Sequence, residues 1–265
     1  MFNSNEVLTA LEKALNTSQL YMVYQPIFNL HAQCISGFEA LMRWNSPQMG
    51  MISPDVFITL LEDSGNIISI EDMVTHSPWD VATSWPDPIV LSVNISALEF
   101  CDPLLPQRVR QNLATSGLPV HRCQIEVTET SPLYDSQIAA KNMTELKAIG
   151  VKLALDDFGT GHANLNYLLK YPFDTLKIDK EFVTGIEPDT RSTKIVEGII
   201  SLAHNFGIEV LAEGVETQSQ LDRLMQIGCD KIQGFFISPP VQAQEIPSLL
   251  GKVRISRSFL PKLTR

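Results

Sequence analysis

The sequence predicts an α/β protein in which eight strands close into a (β/α)8 barrel, a TIM-like fold. From residue 89 onwards, short apolar runs alternate with stretches of helical periodicity, an order that is typical of βαβ units with a parallel sheet. The length of 265 residues suits one such domain, since these barrels commonly need about 250 residues. An open doubly wound sheet is the alternative, but neither a GxGxxG motif nor a P-loop supports it.

The first two predicted strands, residues 21–28 and 34–44, depart from the parallel order. Only five residues separate them, whereas a parallel crossover needs about a dozen or more. The pair is therefore predicted to be an antiparallel hairpin. This makes the first strand antiparallel to the rest of the barrel.

The remaining elements follow from the apolar pattern. Further strands are predicted at residues 89–96, 123–128, 151–156, 175–179, 208–213 and 230–233. Helices are predicted at about residues 4–16, 55–62, 67–85, 104–116, 136–149, 163–169, 190–205, 218–227 and 243–253. Pro78 should break or kink the helix at 67–85, because proline lacks the amide hydrogen and clashes with the preceding turn.

The composition indicates one domain over residues 1–265, with a core at about 17–250 and a basic tail at about 252–265. The net charge of −10 argues against a nucleic acid polymer as the partner. No run of about 18 apolar residues predicts a membrane span, and the N-terminus lacks the basic start and apolar region of a signal peptide. The four cysteines lack metal-ligand spacing and are expected to be reduced thiols of a cytoplasmic protein.

The strongest local signal is the stretch LALDDFGTG at residues 153–161. An apolar run ends there in Asp156 and Asp157, and a glycine-containing turn follows at once. Where the strand becomes a loop, both carboxylates can face one point, and two close carboxylates repel unless they share a proton or a cation. A divalent metal site is one interpretation, and an Asx-type cap of the turn is the other.

Nearly every predicted strand ends in a polar residue. In a barrel these ends surround one opening, which is where active sites lie. An all-oxygen ligand set favours Mg²⁺ or Mn²⁺ over zinc, and Asp156 could bridge two ions about 3.5–4 Å apart. Lys177, which shares this rim with Arg43 and Lys231, is placed to order an attacking water or to bind phosphate. The predicted ring consists of Glu39, Asn94, Glu126, Asp156 and Asp157, with Asp179 and Glu213 close behind.

Each of these residues, taken singly, also has a plain structural interpretation. Asn94 is then a turn former, Glu213 an acid at a helix N-terminus, and Lys177 a lysine that extends its amine to solvent. That interpretation becomes improbable when it must hold for all seven strand ends together.

Several sequence blocks around these residues resemble the family of EAL-domain cyclic di-GMP phosphodiesterases. The blocks follow the family's order over about residues 17–250, nearly the whole chain. They are Glu39-Ala-Leu41 within YQPIF and GFEALMRW, SVNIS (92–96), EVTET (126–130), DDFGTG (156–161), LKIDKEFV (176–183), AEGVET (212–217) and QGF (233–235).

The resemblance implies two Mg²⁺ or Mn²⁺ ions held by Glu39, Asn94, Glu126, Asp156 and Asp157. It implies a catalytic set of Glu39, Lys177, Glu213 and Asp179, in which Lys177 activates water. Gln25, Leu41, Arg43 and Gln233 match positions that contact the dinucleotide, and Glu216 matches a further acid of the same rim. Glu129 matches a glutamate that fixes its loop and links it to a dimer contact.

The function implied by the resemblance is hydrolysis of one 3′–5′ phosphodiester bond of cyclic di-GMP to linear pGpG, by a homodimer. The all-oxygen ligand set in addition predicts that Ca²⁺ inhibits this reaction. A separate sensor or regulatory protein is a further expected partner. The alternative is a barrel that senses cyclic di-GMP without cleaving it. Degenerate relatives usually lose the EAL glutamate, an aspartate of the pair or the lysine, and this chain has all of them. Departures from the family pattern at 59–61 (TLL) and 162–165 (HANL) affect the expected substrate affinity and loop dynamics.

Overall fold

A computed structural model describes residues 3–15, 17–64, 71–128, 137–159, 166–186 and 190–252. Within these residues one sheet contains nine strands. They are β1 (Leu20–Asn29), β2 (Cys34–Ser46), β3 (Gly50–Ile52), β4 (Val90–Asn94), β5 (Cys123–Thr128), β6 (Lys152–Phe158), β7 (Thr175–Ile178), β8 (Glu209–Ala212) and β9 (Lys231–Ile232).

Eight of the strands close into a barrel. Their order is β1, β9, β8, β7, β6, β5, β4, β2, and β1 also pairs with β2. Neighbours from β2 and β4 through to β9 pair in parallel, whereas β1 is antiparallel to both β2 and β9. The predicted barrel and its reversed first strand are confirmed. Strand β3 was not predicted; it pairs antiparallel with the end of β2 and is too short for a periodic pattern.

Helices connect the strands and cover the outside of the barrel. None of them, over the described part of the chain, is long and apolar enough to cross a bilayer. They are α1 (Ser4–Ala14), α2 (Pro54–Asp63), α3 (Glu71–Thr83), α4 (Ala97–Phe100), α5 (Leu105–Ser116), α6 (Gln137–Ile149), α7 (Asn166–Lys170), α8 (Lys180–Thr184), α9 (Arg191–Asn205), α10 (Gln218–Gln226) and α11 (Ile246–Lys252).

Helix α3 continues through Pro78, so of the two predicted effects of this proline, a break or a kink, the break does not occur. An interior proline costs about 3 kcal/mol of helix stability. The helix packs on α5, β2 and β4, and this tertiary contact outweighs the local cost. The short helices α4 and α8 were not predicted, since four or five residues carry too little periodicity.

The buried side chains form two clusters. The larger one fills the space between the barrel strands and the surrounding helices. The smaller one joins α1 and α2 to the ends of β1 and β2, through residues such as Leu11, Trp44, Phe57 and Leu61. This second cluster fixes α2 beside the carboxyl end of β2, where the candidate site lies.

Candidate active site

A cleft of about 740 Å³ lies at the carboxyl ends of the barrel strands. The parallel register places Asn94 beside Glu126, and Thr128 beside Asp156, on neighbouring strands. Nine carboxylate side chains and three cationic side chains line the cleft. The field inside is therefore negative, and an anionic ligand needs additional positive charge in order to enter.

Glu39, near the middle of β2, is held by amide groups from other strands. Asn94 donates from Nδ2 to Glu39 Oε1 at 2.7 Å, and Gln233 donates from Nε2 to Glu39 Oε2 at 2.7 Å. The same amide nitrogen of Gln233 also donates to Oε1 of Gln25 at 3.1 Å. Burial acts to raise the pKa of Glu39, but Lys177 and the two amides outweigh it and hold this pKa below its ordinary value.

Lys177, on β7, is the centre of the site. Its ammonium is 1% exposed and lies 2.6 Å from Glu126 and 2.8 Å from Glu213. It also lies 3.0 Å from Asp156 and 3.5 Å from Glu39. Burial acts to lower the pKa of Lys177, but the surrounding carboxylates outweigh it and raise this pKa well above its ordinary value. In the metal-free site Lys177 is therefore a cation and a hydrogen-bond donor.

A buried polar layer lies directly below this ammonium. Glu126 is fully buried, and Gln124 donates from Nε2 to Glu126 Oε1 at 3.3 Å and to Ser92 Oγ at 2.9 Å. Thr175 donates from Oγ1 to Gln124 Oε1 at 3.3 Å. The two carboxylate oxygens of Glu126 thus have separate donors, Gln124 and Lys177. Orientation by such outer contacts is common for metal-binding carboxylates.

An irregularity at the end of β6 brings both adjacent aspartates into the cleft. The pairing of β6 with β7 shifts register between Leu155 and Phe158, and Asp157 has a φ of 55° in the left-handed region. In a regular strand, neighbouring side chains point to opposite faces, so the shift is what allows both carboxylates to line one cleft. Asp156 also accepts a hydrogen bond at Oδ1 from the amide of Asp157 at 2.9 Å. This amide belongs to the next residue, whereas an Asx turn uses the amide two residues on.

The carboxylates form two overlapping groups whose oxygens lie within 4.8 Å of one another. One group contains Glu39, Glu126 and Asp156, and the other contains Asp156, Asp157 and Glu213. Asp156 belongs to both groups, as a bridging ligand would. The donors are all oxygens, which suits Mg²⁺, Mn²⁺ or another hard cation.

The crowded carboxylates bind protons more tightly than free carboxylates do. Burial, together with neighbouring carboxylates, raises the pKa of Asp157 to about 6 and the pKa of Glu126 to about 7. The pKa of Glu213 is also raised well above its ordinary value, by burial first. A bound divalent cation would favour the ionised forms and so reverse these shifts.

These shifts predict how the stability of the metal-free protein depends on pH. A carboxyl group whose folded-state pKa is raised binds its proton more tightly when folded, so unfolding becomes easier as pH rises through that pKa. We expect the melting temperature to fall between about pH 5 and about pH 7.5. The pKa of Glu39 is lowered instead, so its titration affects the stability only below the ordinary pKa of a glutamate, outside this pH interval.

The measurement is thermal unfolding across this pH range, with chelator and with saturating Mn²⁺. The double variant Asp157→Asn, Glu126→Gln should flatten the fall, and so should Mn²⁺. A metal-free protein whose stability rises across the same interval would contradict the raised pKa values of these two groups.

The other predicted residues can now be placed. Asp179 lines the cleft and also caps α8, because its side chain accepts from the amide of Glu181 at 2.7 Å. Lys231 was wrongly predicted at the rim: it pairs with Glu209 at 2.7 Å, near the amino ends of β8 and β9, and is not among the cleft residues. Glu129 and residues 162–165 lie outside the described residues. The remaining predicted substrate-binding residues all line the cleft, and they are Gln25, Leu41, Arg43, Gln233 and Glu216.

Three features of the cleft were not predicted. The face of α2 that carries Asp55, Ile58 and Glu62 forms part of the wall. Phe235 lines the cleft and is 64% exposed, and Lys180 lines it from the first position of α8. The helical pattern of α2 was visible in the sequence, but which face meets the cleft depends on its packing against α1 and β2.

Comparison with known proteins places this geometry in a family. The family model described as "EAL domain" matches residues 8–240. An uncharacterized signaling protein of Caulobacter vibrioides is 39% identical over 230 residues, covering 87% of this chain and 28% of that protein. The bifunctional diguanylate cyclase/cyclic di-GMP phosphodiesterase MucR of Pseudomonas aeruginosa is 34% identical over 245 residues, covering 91% of this chain and 36% of that protein. The chain spans about a third of the length of most of the curated relatives it matches.

Solved structures support the same family assignment. The MucR phosphodiesterase in complex with c-di-GMP is 34% identical, with a TM-score of 0.85, and the match covers 91% of this chain and 99% of that one. The EAL enzyme Bd1971, bound to cAMP and cyclic-di-GMP, is 32% identical with a TM-score of 0.86, and the match covers 93% of this chain and 68% of that one. The barrel with a reversed strand, the family model that matches most of the chain and these structural relatives together show that the chain belongs to the EAL domain family.

Proposed function

We propose that the chain is a cyclic di-GMP phosphodiesterase that cleaves one of the two phosphodiester bonds to give linear pGpG. The observation that carries the proposal is the ring of carboxylates around Lys177. Structural relatives that share the fold and about a third of the sequence were solved with this dinucleotide bound. A cleft of about 740 Å³ is also within the usual range for small-molecule sites.

Two divalent cations are part of this proposal. Glu39, Glu126 and Asp156, with the amide oxygen of Asn94, would hold one, and Asp156, Asp157 and Glu213 would hold the other. When bound, such cations lower the pKa of water and stabilise negative charge on a departing oxygen. The crowding of carboxylates with raised pKa values supports a site that needs cations.

The protein's own side chains would then bind the substrate and orient the attacking water. Lys177 donates hydrogen bonds to Glu126 and Asp156, so its proposed role is to orient the attacking water and to balance charge. Oε1 of Gln233 is buried without a hydrogen-bond partner among the described residues, and a hydroxyl or amine of the substrate would satisfy it. Phe235 offers an exposed aromatic face at the rim on which a guanine base can stack.

The test is incubation of the protein with cyclic di-GMP and Mn²⁺, with the products separated by chromatography. We expect pGpG as the main early product, because pGpG lacks the ring that fills the cleft. Glu39→Gln is the control for contaminating activity. Immediate GMP without pGpG would contradict the single-bond reaction, and binding without any turnover would support a sensor instead. The homodimer and a separate regulatory protein remain predictions.

Calcium should support binding of cyclic di-GMP while preventing hydrolysis. The oxygen donors accept any hard cation, but Ca²⁺ prefers contacts of about 2.3–2.6 Å and more ligands, whereas Mg²⁺ requires about 2.0–2.1 Å. Longer contacts would displace the reacting groups, and a misplacement near 1 Å can cost about a hundredfold in rate. Calorimetric binding and rate assays with Mg²⁺, Mn²⁺ and Ca²⁺ test this. Turnover with Ca²⁺ at the Mg²⁺ rate would contradict it.

A further inference from the structure

Lys180 lies in the cleft but has no role in the sequence analysis or in the proposed reaction. It is the first residue of α8, directly after Asp179, and its side chain is exposed. It lines the cleft, yet among the described residues its side chain makes neither an ion pair nor a hydrogen bond. A lysine left unpaired beside many carboxylates has its charge available for a ligand.

The base of this side chain is held against a glycine. Gly214 has a φ of +66°, and a Cβ added there would overlap Cβ of Lys180 and lie 3.2 Å from its Cα. The first carbons of Lys180 therefore pack closely on the backbone beside Glu213. This contact fixes where the flexible chain starts, beside the ends of β7 and β8.

The other two cations of the cleft are less exposed than Lys180. Lys177 is enclosed by four carboxylates and 1% exposed. Arg43 is half-buried, and its Nη1 donates to the carbonyl of Met42 at 2.8 Å. Lys180 is thus the most exposed of the three cleft cations, and its ammonium is unpaired within the described chain.

We propose that Lys180 binds the second phosphate of the cyclic dinucleotide, the one that is not cleaved. This inference rests on the proposed function. Both phosphates of the ring are anionic, and only one of them can lie among the carboxylates of the metal site. The other must face walls that carry acids such as Glu216 and Asp179. A free ammonium on that wall offsets the repulsion and contributes a charge-assisted hydrogen bond.

Lys180→Met tests the proposal, because methionine keeps the packing on Gly214 and removes the charge. We expect KM for cyclic di-GMP to rise about tenfold, with kcat within about twofold. The dependence of kcat/KM on salt concentration should also become less steep. Lys180→Arg should restore KM. Lys194→Met, which removes the same charge from the exposed lysine on α9, should change none of these values.

Binding of cyclic di-GMP in the presence of Ca²⁺, measured by calorimetry, separates this inference from the proposed function. A wild-type protein that binds but does not turn over would remove the proposed function, while the Kd of Lys180→Met would still decide the role of Lys180. Wild-type KM, Kd and salt dependence in Lys180→Met would overturn the inference. So would a fall in kcat at unchanged KM, because that result would place Lys180 at the reacting phosphate.

Discussion

Lys177→Met is expected to lower kcat by about 10³-fold and to destabilise the metal-free protein by about 3–5 kcal/mol. The variant keeps the shape of the side chain but removes the ammonium that Glu126, Asp156 and Glu213 share. These carboxylates are then left without their counter-charge in a buried site. The cost should be smaller near pH 5, where Glu126 and its neighbours can take up protons, since their pKa values are already raised.

Manganese distinguishes the loss of stability in Lys177→Met from the loss of rate. Cations bound among the carboxylates replace the missing positive charge, so Mn²⁺ should restore most of the melting temperature but not the rate. The matched control is Lys147→Met, which removes a lysine paired with Asp174 at 2.6 Å, where both side chains are about one-third exposed. That pair contributes at most about 1 kcal/mol, and the rate should not change. Hydrolysis by Lys177→Met within tenfold of wild type would reduce Lys177 to a structural counter-charge.

The position of Lys177 shows what the sequence can predict about such a site. Its strand and its place among the acids follow from the pattern of apolar runs that end in polar residues. The four contacts of its ammonium do not follow, because they depend on the closure of the barrel, which brings β2 to the side of the opening that faces β7. Lys231 illustrates the same limit of the sequence pattern. It lies in a short strand, near the amino end of the barrel, but was predicted at the carboxyl end.

Asp156 and Asp157 show a second limit of prediction from the sequence, at the level of a single strand. Regular alternation along a strand would send neighbouring side chains to opposite faces. The register shift after Leu155 is what brings both into the cleft, and no residue type in this stretch requires a shift at that point. The glycines after the pair indicated that the strand ends here, which made the aspartates candidates. The register shift, like the face that α2 presents to the cleft, is seen only in the folded structure.

Asp156→Asn should lower the affinity for Mn²⁺ and the rate together, the rate by about 10³-fold, while the fold survives. Asp156 is the member shared by both carboxylate groups, so the change removes charge from both. In the metal-free protein two effects oppose each other. Burial and neighbouring carboxylates raise the pKa of Asp156, so a neutral side chain is favoured there. However, its two oxygens accept from Lys177 at 3.0 Å and from the Asp157 amide at 2.9 Å.

An asparagine can accept from only one of these donors, because its other end is an NH₂ group. The lost hydrogen bond costs about 1 kcal/mol, which offsets part of the relief of repulsion. We therefore expect the melting temperature of the metal-free variant to equal or slightly exceed that of the wild type. The wild type should gain more stability from Mn²⁺ than the variant does. The control is Asp174→Asn at the opposite end of the barrel, which should leave Mn²⁺ affinity and rate unchanged. Near wild-type Mn²⁺ affinity in Asp156→Asn would show that this carboxylate does not hold the cations.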